Sequence, residues 1–319
     1  MADAAANLLV GNLVAFPTET VYGLGADACN ADAVARIYSV KGRPADHPLI
    51  VHVGSMDALG DWASDVPAYA ISLARDFWPG PMTLIMKRSE LAGDFVTGGQ
   101  DTVGVRVPDH PVALGLLDAF ARAGGKGVAA PSANRFGNVS PTTAQAVENE
   151  LSEYLADADQ ILDGGPCQVG VESTIIDCTG DVPRILRPGA VTAEMIKEST
   201  GLDVGDSASV DGLAVEQKEI RVSGSLDSHY APVATVVLDQ SPVAGQGFIA
   251  MADETTPDGV VRLAAPKSHE EFARVLYAAL RSADEQKLQT VVVAQPQGMG
   301  IAIAIRDRLK RAAHSGSNG

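Results

Sequence analysis

The sequence predicts a mixed α/β fold in two parts. Short apolar runs bounded by turn residues alternate with segments in which apolar residues recur at helical spacing. The first pattern is typical of buried strands and the second of amphipathic helices. At 319 residues the chain is long enough for two cores, because one domain usually holds about 100–200 residues. A stretch rich in Asp, Ser and Gly interrupts both patterns, so we expect domains at 1–204 and 233–319 joined by a linker at 205–232.

The first part contains six predicted strands. They lie at 13–16, 49–53, 82–86, 103–107, 127–130 and 174–176. Helical patterns separate them at 31–40, 67–77, 112–123 and 143–155. Ser140 followed by Pro141 is typical of an N-cap and a first helical turn, which predicts a helix N-terminus at this point.

The second part repeats the alternation on a smaller scale. Its predicted strands lie at 233–238, 247–251, 260–263 and 290–294, and its predicted helices at 269–282 and 301–313. Strands that alternate with helices are typical of parallel sheets. A small parallel α/β domain is therefore expected at the carboxyl end.

Composition excludes several classes of protein. The 40 acidic side chains exceed the 24 basic ones, giving a formal net charge of -16, so an extended grip on a nucleic-acid backbone is not expected. Three cysteines without a C-x-x-C pair predict neither a disulfide framework nor a zinc site, and they favour a reducing, cytoplasmic compartment. Because no apolar run approaches the ~18 residues needed to cross a bilayer, neither membrane insertion nor export is expected.

The segment PTETVYGLGADA, from Pro17 to Ala28, follows the first predicted strand directly. Its glycines allow a sharp turn or a close approach of the backbone to a ligand. Gly23, Gly25 and Ala28 also match G-x-G-x-x-A, but polar residues stand where that dinucleotide-binding motif should open a helix. We favour a loop that lines a substrate pocket, with a plain turn and a dinucleotide site as alternatives.

Lys41, Arg43 and His47 cluster at the end of a predicted helix. Cations at that position complement the helix dipole, which is the structural explanation. Lys and Arg one residue apart, with histidines close by, are also suited to clasping phosphates, because Arg offers a forked pair of donors and Lys a mobile point charge. Both interpretations stay open.

Arg106 lies in a strand pattern that places Thr102 on the same face. An arginine within an apolar strand is costly unless it is paired. No acidic residue of this strand shares the face, so the partner is either a carboxylate ligand or a carboxylate from another strand. Further along, Ser132 and Ser140 offer hydroxyls suited to phosphate or ribose oxygens, among small residues that leave room for them.

Taken together, these segments resemble the YrdC-like domain family, in particular its longer two-domain members, the L-threonylcarbamoyladenylate synthases. The resemblance covers residues from about 8 to 200, with HYAP at 229–232 in addition. The motifs, in the family's order, are PTETVYGLG, KGRP with HPLIVH, WPGPMTLI, DTVGVRVP, APSAN with SPT, DGG with GVESTI, and LRPG. The resemblance implies a twisted mixed sheet with helices and a concave basic pocket, plus a smaller Rossmann-like α/β domain at the C-terminus.

The resemblance also implies a reaction. Such enzymes carboxylate the amino group of L-threonine with bicarbonate and condense it with ATP, with Mg²⁺ on the triphosphate, to give threonylcarbamoyl-AMP and pyrophosphate. A separate threonylcarbamoyl transferase then modifies adenosine 37 of tRNA, so little or no direct contact with nucleic acid is expected of the synthase. No side chain is expected to be an obligatory nucleophile or base, and no protein-bound metal is expected.

By the same correspondence, threonine is expected to bind at Thr20, His52, Arg106, Ala130 and Ser173. ATP is expected to bind at Lys41, Arg43, His47, Thr102, Ser132, Asn134, Ser140, Arg187, His229 and Tyr230. Within that set, Lys41 and Arg43 would stabilise developing negative charge. The linker is expected to fold over the site as a lid, although its stretch 223–228 lacks the basic residues that usually precede HYAP in the family.

Two other functions are weighed against this one. A non-catalytic module of the same fold would present a basic surface to structured RNA, and the net charge of -16 argues against it. Carbamoyl transfer from carbamoyl phosphate occurs in larger maturation proteins that contain this domain. Those proteins carry zinc-finger and acylphosphatase segments, which three cysteines do not support.

Overall fold

The computed structural model describes residues 1–205, 220–224 and 230–314. Its helices are α1 (Ala2–Leu9), α2 (Ala31–Lys41), α3 (Leu59–Trp62), α4 (Ala68–Phe77), α5 (Asp94–Thr97), α6 (Pro111–Arg122), α7 (Ala144–Leu151), α8 (Ala193–Thr200), α9 (His269–Glu285) and α10 (Ile301–His314). Its strands are β1 (Val14–Phe16), β2 (Gly23–Asp27), β3 (Ile50–His52), β4 (Ala63–Ser64), β5 (Met82–Arg88), β6 (Thr102–Arg106), β7 (Val128–Ala129), β8 (Gln160–Ile161), β9 (Thr174–Asp177), β10 (Arg184–Arg187), β11 (Thr235–Leu238), β12 (Gly247–Ile249), β13 (Val261–Ala264) and β14 (Thr290–Val293).

The first ten strands form one mixed sheet. Their order is β10-β9-β5-β6-β3-β7-β2-β1-β8, and β4 pairs with β5. Three pairs, β1 with β8, β3 with β6 and β5 with β9, are parallel. Because β9 is antiparallel to β10 and β5 is antiparallel to β6, the ends of β3, β6 and β10 and the beginning of β9 meet at one edge of the sheet. That edge is where functional side chains are brought together.

The predicted mixed α/β class with a smaller second α/β part is confirmed. Each predicted strand and helix is present, with ends that differ by no more than four residues. The dinucleotide alternative is wrong, because Gly23–Asp27 is strand β2, antiparallel to β1, rather than the start of a helix.

The predicted helix N-cap at Ser140 is wrong. Helix α7 begins at Ala144, and Thr143 is its N-cap, with Oγ1 accepting the N–H of Ala146 at 3.2 Å. Ser140 instead donates its hydroxyl to the buried carboxylate of Glu172 at 2.6 Å. A charge-assisted tertiary hydrogen bond thus takes the side chain that the local pattern assigned to capping.

The remaining four strands form a parallel sheet in the order β11-β14-β12-β13, which confirms the parallel α/β prediction. Helix α9 begins at the N-cap Ser268, whose Oγ accepts the N–H of Glu271. Its apolar stripe, with that of α10, is buried against Val291 and Val293 of β14. In the part of the chain that the structure describes, no helix is long and apolar enough to cross a membrane.

The two sheets are connected by a shared core. Val21, Val139 and Val171, which lie in loops of the first part, are buried in the same apolar cluster as helices α9 and α10. Arg281 of α9 adds an ion pair with Glu150 of α7 at 2.8 Å. The domain bounds at 204 and 233 stay a prediction, and most of the predicted linker, with His229, lies outside the described residues.

Candidate active site

One pocket collects most of the predicted substrate residues. It lies at the sheet edge where β3, β6, β9 and β10 meet and is covered by residues 223, 224 and 230. Its lining consists of Thr18, Thr20, Val21, Tyr22, Gly23, Arg43, Ile50, His52, Arg106, Ala130, Pro131, Ser132, Glu172, Ser173, Arg187, Ser223, Gly224 and Tyr230. The cavity has a volume of about 50 Å³, whereas small-molecule sites usually have roughly 300–1,000 Å³. In this closed arrangement, with residues 223, 224 and 230 over it, the pocket is smaller than a typical small-molecule site.

The five residues expected to contact threonine all line this pocket. His52 and Arg106 are register partners at the ends of the parallel strands β3 and β6. Ser173 immediately precedes β9, and its Oγ lies 2.8 Å from Oγ1 of Thr83 on β5. Thr20 belongs to a tight turn after β1. Four separate segments thus place two hydroxyls, an imidazole and a guanidinium around one small space.

Of the two partners that the sequence left open for Arg106, the structure shows a carboxylate of the protein itself. The arginine's Nη2 donates to Oε1 of Glu19 at 2.6 Å and to Oγ1 of Thr20 at 3.0 Å, and its Nε donates to the carbonyl oxygen of Gly80 at 3.3 Å. The carboxylate from elsewhere in the fold is therefore Glu19. Among the described residues Nη1 of Arg106 has no hydrogen-bond partner, which leaves one donor group of the guanidinium for a carboxylate ligand.

His52 is a neutral imidazole in the pocket wall. Burial, together with the charge of Arg106, lowers its pKa to about 3. Within the described ranges its Nδ1 has no hydrogen-bond partner. A neutral imidazole beside a guanidinium offers a donor or an acceptor without adding charge.

Four of the residues expected to bind ATP line the same pocket: Arg43, Ser132, Arg187 and Tyr230. Arg187 is buried, and its Nη2 donates to the carbonyl oxygen and to Oγ of Ser173 at 3.0 and 3.1 Å. Burial lowers the pKa of Arg43 to about 10, so its guanidinium stays charged at neutral pH. Two cations therefore border the space next to the threonine-type contacts.

Lys41 is buried beneath the loop that follows β7. Gly42 ends helix α2 with φ of +61°, and Lys41 in the last turn donates its ammonium to the backbone carbonyl oxygens of Ser132 and Asn134. Burial and the charge of Arg43 lower the pKa of Lys41 well below its ordinary value. The ammonium fixes the loop that carries Ser132, and Lys41 is outside the pocket lining. Asn134 is also outside the lining, and its amide donates to backbone carbonyl oxygens of the same loop.

The other residues expected to bind ATP lie around the pocket rather than in its lining. The ring of His47 meets Phe136 edge-on at 5.4 Å between centroids. Thr102 lines a neighbouring cavity together with Gln100. The hydroxyl of Ser140 is bonded to the carboxylate of Glu172, and His229 is not among the described residues.

The cover of the pocket is held by the two arginines. Ser223 accepts a hydrogen bond from Nη2 of Arg43 on its Oγ at 3.1 Å, and its carbonyl oxygen accepts one from Nη1 of Arg187 at 2.7 Å. Gly224 has φ of +82° and lies directly against the hydroxyl of Tyr230. The groups expected to bind phosphate thus hold the covering segment in this closed arrangement.

Sequence reasoning missed several polar residues of the site. Glu19 and Glu172 lie inside the motifs PTET and GVEST, next to Thr20 and Ser173. An acidic residue beside a predicted substrate-binding residue could have indicated that it belongs to the site. Arg308 occupies a position of the apolar stripe of α10 and its side chain is 0% exposed; a charged residue within an apolar stripe was the available sign of a buried partner. Tyr277 gives no such sign.

Glu172 joins the pocket to the C-terminal part. Its Oε2 accepts hydrogen bonds from Nε of Arg308 at 2.7 Å and from the hydroxyl of Tyr277 at 2.8 Å, while Oε1 accepts that of Ser140. Burial alone would raise the pKa of Glu172, but Arg308 and Arg187 outweigh it and lower the pKa to about 2. Glu172 is therefore a charged, fully engaged carboxylate.

A metal ion finds no ready set of protein ligands. Among the described residues no group of three or more His, Cys, Asp or Glu side chains is placed to hold one. The donor groups in the lining are mostly cationic or hydroxyl groups, and hard divalent cations prefer carboxylate, carbonyl and water oxygens.

Comparison with known proteins agrees with this geometry. The model of the Sua5/YciO/YrdC family, described as "Telomere recombination", matches residues 6–189, and a second model, the C-terminal domain of threonylcarbamoyl-AMP synthase, matches residues 191–314. The threonylcarbamoyl-AMP synthase of Bacillus subtilis is 41% identical over 98% of this chain and 92% of its own. The crystal structure of Pyrococcus abyssi Sua5 complexed with L-threonine superposes with a TM-score of 0.85 at 37% identity, covering 98% of this chain and 94% of that one.

The fold and the pocket therefore define an α/β enzyme of the Sua5/YciO/YrdC family, to which this chain belongs. Its two parts match both family models, and relatives named threonylcarbamoyl-AMP synthase cover nearly its full length. It belongs with the two-domain threonylcarbamoyl-AMP synthases, which are nucleotide-dependent transferases.

Proposed function

We propose that this pocket binds L-threonine and ATP side by side and joins them, with bicarbonate, into threonylcarbamoyl-AMP. The observation that carries the proposal is the convergence of nine predicted substrate residues, five for threonine and four for ATP, on one pocket. Relatives that carry the name of this activity over nearly the full chain support it.

The threonine end of the pocket is built around Arg106. Its free Nη1 would pair with the substrate carboxylate, while the hydroxyls of Thr20 and Ser173 would bond to the substrate side chain. Hydroxyl partners matter because a site built to hydrogen-bond an alcohol leaves polar groups unpaired when valine enters instead.

The nucleotide end is built around Arg43 and Arg187. Both guanidinium groups are bonded to Ser223 in the closed arrangement, and the triphosphate would replace those bonds. A charge-assisted bond to phosphate is stronger than one to a neutral serine, so ATP binding would favour release of the cover.

The reaction then needs positioning more than a reactive side chain. The threonine amine adds to bicarbonate with loss of water, giving a carbamate. One carbamate oxygen attacks the α-phosphorus of ATP, the bond from the α-phosphorus to the bridging oxygen breaks, and pyrophosphate leaves. Holding the two substrates in line and stabilising negative charge on the phosphates supplies the catalysis.

We further propose that the product passes to a separate transferase that modifies tRNA, and that the enzyme acts in the cytoplasm. A net charge of -16 opposes an extended interface with RNA. Handing the reactive adenylate to a partner protein fits that charge.

The test measures pyrophosphate release with ATP, bicarbonate and L-threonine, with each omitted in turn, and identifies the product by mass spectrometry. Release that depends on all three, with a product of the expected mass, is the predicted result. Release that is indifferent to threonine would contradict the proposal.

Variants separate the two ends of the pocket. Arg106→Ala is expected to raise KM for threonine, and Arg43→Ala to raise KM for ATP. Arg75→Ala is the matched control, because Arg75 is exposed and, among the described residues, forms an ion pair with its neighbour Asp76. Unchanged kinetics in either test variant would remove that residue from the site.

A further inference from the structure

A buried ion pair joins the C-terminal part to the wall of the pocket. Arg308 of α10 and Glu172 of the pocket lining lie 2.7 Å apart, and their side chains are 0% and 7% exposed. The guanidinium also donates from Nη2 to the carbonyl oxygen of Pro188 at 3.0 Å, in the stretch that follows β10. Helix α10 is thus bonded to both segments that frame Ser173 and Arg187.

The pairing decides what charge the pocket wall presents. Glu172 is an anion next to a space that is expected to receive a polyphosphate. The positive charge of the nearby Arg187 also stabilises this carboxylate. A buried charge must be compensated locally. Without Arg308, the carboxylate of Glu172 would therefore pair with Arg187 or repel the phosphates. In either case the electrostatic attraction between the pocket and the nucleotide becomes weaker.

The same helix pair holds an aromatic residue of the lining. Tyr230 stacks on Tyr277 with 5.8 Å between ring centroids, and the guanidinium carbon of Arg308 lies 5.3 Å from the ring centroid of Tyr230. Tyr277 in turn donates its hydroxyl to Glu172. One buried cluster therefore fixes both the carboxylate and the ring that borders the pocket.

We propose that Arg308 is a positioning residue of the nucleotide subsite: from the C-terminal part it neutralises Glu172, so that the positive charge of Arg187 is directed to the nucleotide and the ring of Tyr230 is held at the pocket. This inference rests on the proposed function and extends it, because it makes the C-terminal part a requirement for ATP affinity. Arg308 itself is outside the pocket lining and acts through Glu172.

The experiment asks whether a second substitution, Glu172→Gln, reverses the effect of Arg308→Met. Arg308→Met, Glu172→Gln and the double variant are compared by calorimetric binding of a non-hydrolysable ATP analogue and by KM for ATP and threonine. Arg308→Met is expected to weaken analogue binding and raise KM for ATP roughly tenfold, with KM for threonine changed less than about twofold. Adding Glu172→Gln is expected to restore most of the analogue affinity, because it removes the uncompensated charge.

Three further variants serve as controls or as an alternative to Arg308→Met. Within the described ranges, Arg306 of the same helix donates to the carbonyl oxygens of Pro296 and Gly298 in the C-terminal part, so Arg306→Met should leave analogue affinity unchanged. Arg308→Lys, which keeps the charge, should be less impaired than Arg308→Met. Tyr277→Phe removes one hydrogen bond to Glu172 and serves if Arg308→Met does not fold, with a smaller loss of analogue affinity expected.

Two results would overturn the proposal. One is wild-type analogue affinity in both Arg308→Met and Tyr277→Phe. The other is a double variant as impaired as Arg308→Met, which means that shape and not charge matters. A wild-type enzyme that binds the analogue but releases no threonine-dependent pyrophosphate would instead refute the proposed function, so the two failures are distinguishable.

Discussion

Nη2 of Arg106 lies 2.6 Å from Oε1 of Glu19, and each side chain is only 5% exposed. The second oxygen of Glu19 accepts the backbone N–H of Asp109 at 3.0 Å. Glu19 therefore connects the loop after β1 to the end of β6 and the turn that follows it, and it orients the guanidinium that faces the pocket.

Glu19→Ala is expected to lower the free energy of unfolding by about 3 kcal/mol, because removing one partner leaves a buried charge without compensation. It should also raise KM for threonine, since Arg106 loses its orientation. Chemical denaturation and steady-state kinetics measure the two effects. Asp118→Ala, which breaks the exposed pair with Arg122, is the control and should cost less than about 1 kcal/mol; equal losses in the two variants would contradict the expectation.

Lys41→Met tests whether the buried ammonium supports the loop or the nucleotide. The change leaves the carbonyl oxygens of Ser132 and Asn134 without their donor, so a loss of about 2 kcal/mol of stability is expected. Lys126→Met, at an exposed site, is the control. An unchanged melting temperature combined with lost ATP affinity would show that Lys41 reaches the nucleotide, against the geometry described.

The pH dependence of stability reports on His52. Its pKa is about 3 in the folded protein against an ordinary value of 6.5, so between these values the unfolded state binds the extra proton. The free energy of unfolding should therefore fall as the pH drops below about 6.5, by up to about 1.4 kcal/mol per pH unit. Between pH 7 and 5 the carboxylate of Glu172, with its pKa of about 2, adds little to this slope.

Denaturation of His52→Asn from pH 7 to 5 checks the prediction. The variant should show a flatter slope than the wild type, while His314→Asn, at an exposed position, should keep the wild-type slope. Identical slopes in wild type and His52→Asn would assign the acid sensitivity to other groups. His47, whose pKa burial also lowers, is the next one to test.

The fold was largely predictable because its strands are apolar runs with turn residues at their ends. Strands β4 and β8, of two residues each, are too short to carry a periodic signal. At β2 the sequence predicts a loop, because glycines weaken a strand pattern. Gly25 is nonetheless required in that strand, since a Cβ there would lie 2.7 Å from Cγ1 of Val128.

The site was predictable where its residues are neighbours along the chain and not where they meet only in three dimensions. The motifs indicated Thr20, Arg106 and Ser173, but the direction of each side chain depends on long-range packing. Nothing local indicates that the ammonium of Lys41 turns away from the pocket. Arg308 bonds to Glu172 across 136 residues of sequence, a pairing that only the fold determines.

Gly224 has a left-handed backbone, with φ of +82°, that brings it against Tyr230. A Cβ at this position would lie 2.0 Å from the hydroxyl oxygen of Tyr230 and 3.2 Å from Nη1 of Arg187, so Gly224→Ala must displace the cover or the ring. Because Tyr230 is among the residues expected to bind ATP, we expect the displaced ring to lower kcat/KM for ATP by roughly tenfold or more, a loss of over 1 kcal/mol. Gly201→Ala is the matched control: Gly201 has a similar φ of +71°, and no atom of the described residues lies within 4 Å of the added Cβ, so the variant carries the backbone strain of about 1 kcal/mol without the contact. If both variants lose stability alike and both retain kcat/KM, the contact between Gly224 and Tyr230 has no part in nucleotide use.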